Sequence, residues 1–112
     1  MPEGSERLRE SCERIRAEAE AVRDAARARA DAGLRERCNE LAARITAHIE
    51  LVGAQLSPMW QRRLQHDHHR MLQLARAIAL AADDADLPSV QAAAGRLHGF
   101  MLDHMRRESS EP

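Results

Sequence analysis

Five positions of this sequence carry polar or reactive side chains where the pattern calls for an apolar residue facing inward. They are Cys12, His48, His68, His104 and Glu108. Imidazole nitrogens and a thiolate are the ligands that zinc, copper and iron take in proteins, and a carboxylate can complete such a set. Buried without a ligand, each group would need a hydrogen-bond partner in a medium of low dielectric. These five residues are therefore the candidate metal ligands.

The elements that must position these side chains are helices. Glycine and proline are rare, and the breaks that they mark between helical segments are Ala32-Gly33, residues 53–58 and residues 83–88. Ser5 is the predicted N-cap of the first helix, Pro58 follows Ser57 as the first residue of the third, and the fourth starts near Pro88. Because the junctions are short, neighbouring helices should run antiparallel. The expected fold is all-α, an up-down-up-down antiparallel four-helix bundle in a single domain spanning residues 1–112.

The apolar stripes of the four segments are related by an internal repeat. Apolar residues recur at alternating steps of three and four, as on one face of a helix. An offset of 56 residues places Leu8 on Leu64 and His48 on His104 without a gap. The pattern indicates a duplicated helical hairpin, with repeats of approximately residues 1–56 and 57–112.

The candidate ligands converge on one layer of the predicted bundle. The first and third helices begin at the end where the second and fourth finish, and Cys12, His48, His68 and His104 lie five to ten residues from that end. At ~1.5 Å rise per residue, they are roughly 8 to 15 Å from it. Cys38 lies ten residues before His48, about 15 Å along the bundle, which excludes a disulfide with Cys12.

A family resemblance rests on the second half of the chain. The residues that carry it are 68–72, HHRML, and 97–108, LHGFMLDHMRRE, in which His104 and Glu108 are four positions apart. This pattern resembles the hemerythrin-like (HHE cation-binding) family. The resemblance implies a four-helix bundle that holds a di-iron centre with histidine and carboxylate ligands.

Two positions depart from the family's pattern. Val52 stands where a further Glu would follow His48, and Cys12 stands where the family has a His. The resemblance therefore implies either a di-iron protein or a relative with a mononuclear site. If the helices are rotated from the expected phase, supplementary ligands could come from Glu13, Asp67 or His69.

Composition excludes several other classes of function. With 17 basic and 18 acidic residues and 2% aromatic content, the chain offers neither net attraction for phosphates nor rings on which bases stack, so we expect no nucleic-acid partner. The N-terminus lacks the apolar segment of a signal peptide, and no apolar run approaches the ~18 residues of a membrane span. We expect a cytoplasmic protein without a membrane partner.

Three functions fit these observations. The first is a small metal-binding bundle, with iron as the expected ion, zinc or copper as alternatives, and oxygen, nitric oxide or the metal itself as the ligand bound or sensed. The second is a cofactor-free helical interaction module or homodimer whose buried histidines form a pH-sensitive layer. The third is haem binding through two inward histidines. An enzymatic role has the least support, since no catalytic triad or phosphate-binding loop is present.

Overall fold

The chain folds into four α-helices joined by short connections. The computed structural model describes residues 2–29, 33–55 and 57–109, and the side chains of residues 6–29, 33–54, 57–59 and 61–106. The helices are α1 (Pro2–Arg27), α2 (Leu34–Gln55), α3 (Pro58–Asp83) and α4 (Leu87–Ser109).

The helices pack side by side in a bundle. α1 contacts α2 and α4, and α3 contacts the same two helices from the opposite corner. The principal dimensions are 42 × 21 × 20 Å, which are those of helices of this length packed with their axes nearly aligned. The predicted four-helix bundle is confirmed. Within the described residues, none of the helices has an apolar stretch of the length that a membrane crossing requires.

The starts of α1 and α3 test the predicted helix signals. α3 begins at Pro58, and the backbone N–H of Gln61 donates to the carbonyl of Ser57 at 3.0 Å, as predicted for a cap followed by proline. α1 begins at Pro2, so the predicted start after Ser5 is wrong by about one turn. Proline is tolerated in the first turn because the N–H that it lacks has no partner within the helix there.

The start of α4 has a side-chain cap in addition to the predicted proline. The helix begins at Leu87, one residue before Pro88. Asp86 accepts hydrogen bonds from the backbone N–H of Ser89 at 3.3 Å and from its hydroxyl at 2.6 Å. These bonds make Asp86 the N-cap, with Pro88 inside the first turn.

The two hairpins end their first helices in the same way. Arg29 after α1 and Ala85 after α3 both have positive φ, 56° and 54°, and they are 56 positions apart. Each donates its backbone N–H to a carbonyl three residues earlier, Arg29 to Ala26 at 3.2 Å and Ala85 to Ala82 at 3.1 Å. A left-handed residue that closes the last turn is a common helix terminus, although glycine usually supplies it. The repeat thus extends to the backbone of the turns.

Two groups of apolar side chains lie on either side of the polar residues singled out in the sequence. The smaller group, the end cluster, consists of Leu8, Val52 and Leu64. The main core begins on the other side and includes Ile15, Ile45, Met71 and Met101. Cys12, His48 and His68 are each one helical turn from a member of the end cluster. Cys12, His48 and His68 are therefore enclosed between apolar side chains along the bundle axis.

Candidate metal centre

Three buried donor groups from three helices meet in the core. Cys12 on α1, His48 on α2 and His104 on α4 each offer one ligand atom, and these atoms all lie within 4.8 Å of one another. The relative exposures of the three residues are 1%, 0% and 0%. At this spacing the three groups could hold one metal ion, with small side-chain shifts bringing them to the ~2.0 to 2.3 Å lengths of metal–nitrogen and metal–sulfur bonds.

The thiol of Cys12 is directed at the imidazole of His48. Cys12 Sγ lies 3.6 Å from His48 Nε2, and the other ring nitrogen, Nδ1, is 2.9 Å from the hydroxyl of Ser11. The ring of His48 is thus held from outside by an oxygen while its Nε2 faces the sulfur. In metal-binding histidines, too, one ring nitrogen typically hydrogen-bonds to an outer oxygen while the other faces the site.

The second ring is held in the same way by a carboxylate. His104 donates from Nδ1 to Oδ2 of Asp67 at 3.0 Å, and Asp67 is itself buried. An ionised carboxylate can only accept, so the shared proton belongs to Nδ1 and the lone pair of the ring belongs to Nε2. The Phe100 ring stacks against His104, with centroids 6.4 Å apart and planes 12° from parallel.

A third imidazole borders the group of three donors. The ring centroid of His68, on α3, is 5.5 Å from that of His48 and 5.1 Å from that of His104, in edge-to-face arrangements. His48 and His104 are 5.8 Å apart by the same measure. The structure therefore brings together four of the five predicted ligands, one from each helix. We refer to Cys12, His48, His68 and His104 as the donor layer.

The donor layer repeats one unit twice. In the first hairpin Ser11 holds the ring of His48, and in the second Asp67 holds the ring of His104; each pair is 37 residues apart in the chain. The offset of 56 residues converts Ser11 into Asp67 and His48 into His104. It also converts Cys12 into His68. The two hairpins thus supply the same construction, with a thiol in one and an imidazole in the other.

The remaining predicted ligands lie elsewhere or beyond the described side chains. His69 is exposed and accepts a hydrogen bond from Gln73 Nε2 at 3.3 Å. Glu13 is exposed and accepts from Arg16 Nη2 at 2.6 Å. That hydrogen bond is the main reason why the pKa of Glu13 is lowered. The side chain of Glu108 lies outside the described residues.

Two contacts of the layer were missed in the sequence. Residue spacing does not point to Ser11, and it points to Asp67 only as a supplementary ligand, whereas Asp67 binds the outer nitrogen of His104. The repeat itself contains the signal, because Ser11 and Asp67 occupy matching positions directly before Cys12 and His68. An oxygen-bearing residue at both positions would have indicated paired supports for the two histidines.

The second cysteine belongs to the apolar interior rather than to this layer. Cys38 is buried in the main core, and neither cysteine forms a disulfide. Burial, with a smaller contribution from the negative charge of Asp83, raises the pKa of the Cys38 thiol. Cys38 therefore stays protonated and behaves as a small hydrophobic side chain.

Comparison with known proteins finds no matching family model, no similar curated protein and no similar solved structure. The fold and the donor layer are therefore the basis for a functional conclusion. They define a four-helix bundle with a buried Cys/His cluster close enough to hold a metal ion.

Proposed function

We propose that this chain is a small metal-binding bundle that holds a single transition-metal ion between Cys12, His48 and His104. The observation that carries the proposal is the convergence of one sulfur and two imidazole ligand atoms within 4.8 Å in the core. The outer hydrogen bonds from Ser11 and Asp67 add support, because they orient the rings as histidine ligands are usually oriented.

The surroundings of the site favour occupation by a cation. A thiol and imidazoles buried among apolar side chains lose their hydration, and an ion bound by the deprotonated thiolate and the ring nitrogens compensates for that loss. The apolar end cluster and main core exclude water from the two axial sides. Binding energy at such a site is also folding energy, so the ion would stabilise the bundle.

The nature of the donors supports a mononuclear site. A di-iron centre of the hemerythrin type needs carboxylates that bridge two metals, whereas Asp67 accepts from the outer nitrogen of His104. Sulfur and nitrogen ligands suit zinc, copper and iron. We retain iron as the ion that the hemerythrin-like resemblance implies, with binding or sensing of oxygen or nitric oxide as the corresponding role.

A cofactor-free polar layer is the second candidate, and one observation favours it. The hydrogen bonds among Ser11, His48 and Cys12, and between Asp67 and His104, already provide buried polar groups with partners. In that case the histidines would serve the structure of the bundle or an interaction module, and metal would have no effect on stability.

Metal content distinguishes the two candidates. Purified protein is loaded with Fe(II) without oxygen, and separately with Zn(II), desalted and analysed for metal. We expect one equivalent in the wild type, loss in the His48→Ala/His104→Ala double variant, and full retention in the control His66→Ala/His69→Ala, which removes two exposed histidines. Absence of metal from the wild type, or equal retention in both variants, would exclude this site.

A further inference from the structure

One member of the donor layer differs from the others in its access to the surface. His48 and His104 have no exposed area, whereas 6% of His68 is exposed. His68 lines an open groove of about 520 Å³ between α2 and α3, together with Ile49, Arg62, Gln65, His66, His69 and Leu72. It also lines the adjoining depression near Gly53 and Gln61. The ring thus separates the buried donors from solvent on one side of the bundle.

The internal repeat indicates a role for the face of the His68 ring that is directed towards His48 and His104. It occupies the position of Cys12 in the second hairpin, and its ring lies 5.1 and 5.5 Å from the two histidines of the group. If Cys12 is a ligand, the matching imidazole would complete a set of one sulfur and three nitrogens once its ring shifts inward, because its nitrogens are not among the ligand atoms that all lie within 4.8 Å of one another. Four protein ligands are the usual number for a tetrahedral ion.

The outer side of His68 has the chemistry of a small-anion site. The guanidinium of Arg62 and the exposed imidazoles of His66 and His69 can donate hydrogen bonds, and Arg62 carries a positive charge. The groove lining has no acidic side chain among the described residues. Ile49 and Leu72 supply an apolar wall, and the volume admits a molecule of a few atoms.

We propose that the α2–α3 groove binds a small anion or lone-pair donor that reaches the metal at the position of His68, which is the exchangeable fourth ligand of the site. The proposal rests on the proposed metal site. His68 lines the groove, so a ligand that enters there meets this ring first, whereas the other two histidines have no exposed area. Displacement of His68 would therefore open one coordination position of the metal, on the side of the α2–α3 groove.

Chemical rescue by imidazole tests this directly. The protein is loaded with Co(II), whose visible absorption reports coordination number and whose near-ultraviolet charge-transfer band reports thiolate ligation. We expect His68→Gly to show an altered visible spectrum and to regain the wild-type spectrum, in a saturable way, when free imidazole is added. His104→Gly, the matched control, should not be rescued because its cavity is sealed from solvent.

Azide binding to the unmodified protein provides a second test that needs no cavity. We expect azide to change the visible spectrum of the Co(II)-loaded wild type with a saturable curve, and Arg62→Glu to weaken azide binding about fivefold through charge reversal at the groove. The Arg62 substitution should leave the thiolate band unchanged. In His68→Gly, glycine in a helix interior costs about 1 kcal/mol of stability. The azide test does not use that variant, so it stands even if the variant folds poorly.

The outcomes separate the inference from the metal site on which it rests. A wild-type thiolate band with neither azide binding nor imidazole rescue would overturn the exchangeable ligand and leave the metal site standing. Equal rescue of the His68 and His104 variants would also overturn it, because access would not be confined to the groove. Absence of the thiolate band from the wild type would overturn both proposals.

Discussion

His104 donates a 3.0 Å hydrogen bond from its Nδ1 atom to the buried carboxylate of Asp67 on the neighbouring helix. The bond sets the tautomer of the ring, because an ionised carboxylate has no proton to give. It also sets the direction of Nε2, the nitrogen through which His104 would bind an ion. Asp67 thus orients one member of the donor layer, as groups outside a metal site orient its histidine ligands.

Removing the charge of Asp67 should weaken metal binding without emptying the site. Asp67→Asn keeps the shape of the side chain but weakens the hydrogen bond that makes His104 a stronger base. We expect the affinity for Zn(II), measured by competition with a chromophoric chelator, to fall about 10- to 100-fold. Glu13→Gln is the control: it removes an exposed carboxylate beside Cys12 in the chain and should leave the affinity unchanged. An equal loss in both variants would contradict the role of Asp67.

Metal should stabilise the bundle through the donor layer. At a free metal concentration 100-fold above the dissociation constant, binding to the native state alone adds about 2.7 kcal/mol to the free energy of unfolding. For a domain of this length, the melting temperature should rise by about 10 °C, as measured by circular dichroism. The Cys12→Ala/His48→Ala variant should show no rise. An identical shift in that variant would place the bound metal elsewhere on the chain.

The turn after α3 contains a residue in an unfavourable backbone conformation. Ala85 has φ of 54°, and its neighbour Asp86 donates its backbone N–H to the carbonyl of Ala81 at 2.9 Å, which closes the terminus of the helix. A left-handed conformation costs alanine about 1 kcal/mol more than glycine. Ala85→Gly should therefore raise the free energy of unfolding by about 1 kcal/mol in urea titrations. Destabilisation instead would show that the turn does not require positive φ.

The buried Cys38 thiol should make stability fall at alkaline pH. Burial and Asp83 raise its pKa in the native state, so the unfolded chain loses this proton at a lower pH than the folded one does. The contribution is complete below the ordinary value of about 9 and is lost as pH rises through the higher native pKa. The free energy of unfolding should decline more steeply above about pH 9 in the wild type than in Cys38→Ala. Parallel declines would contradict the raised pKa.

Periodicity predicted the fold because every helix carries its apolar residues on one stripe. The same spacing predicted that Cys12, His48, His68 and His104 face inward, and all four are buried. Proline at position 58 marked the start of α3 correctly, whereas Ser5 was a misleading signal for α1, since a serine near a helix start can also lie within the first turns. Local cap preferences are weak beside the packing of a whole helix.

Side-chain direction within the donor layer could not be predicted from spacing. Helical phase places a residue on a face but leaves its rotamer open, so it could not show that Asp67 contacts His104 or that Glu13 pairs with Arg16 at the surface. Helical phase correctly placed His68 inside and its neighbour His69 outside, but it did not show the distances of the His68 ring from His48 and His104. The internal repeat was the one sequence feature that linked Ser11 and Asp67. The structure was needed to show that each of them hydrogen-bonds to the histidine of its own hairpin.

The two buried cysteines allow one matched measurement of whether the donor layer binds metal. Co(II) is added to the wild type, to Cys12→Ala and to Cys38→Ala, and the near-ultraviolet band of a thiolate bound to cobalt is recorded. We predict the band in the wild type and in Cys38→Ala, and its loss in Cys12→Ala alone. A band that survives the removal of Cys12, or that is missing from the wild type, would contradict a metal site between the four helices.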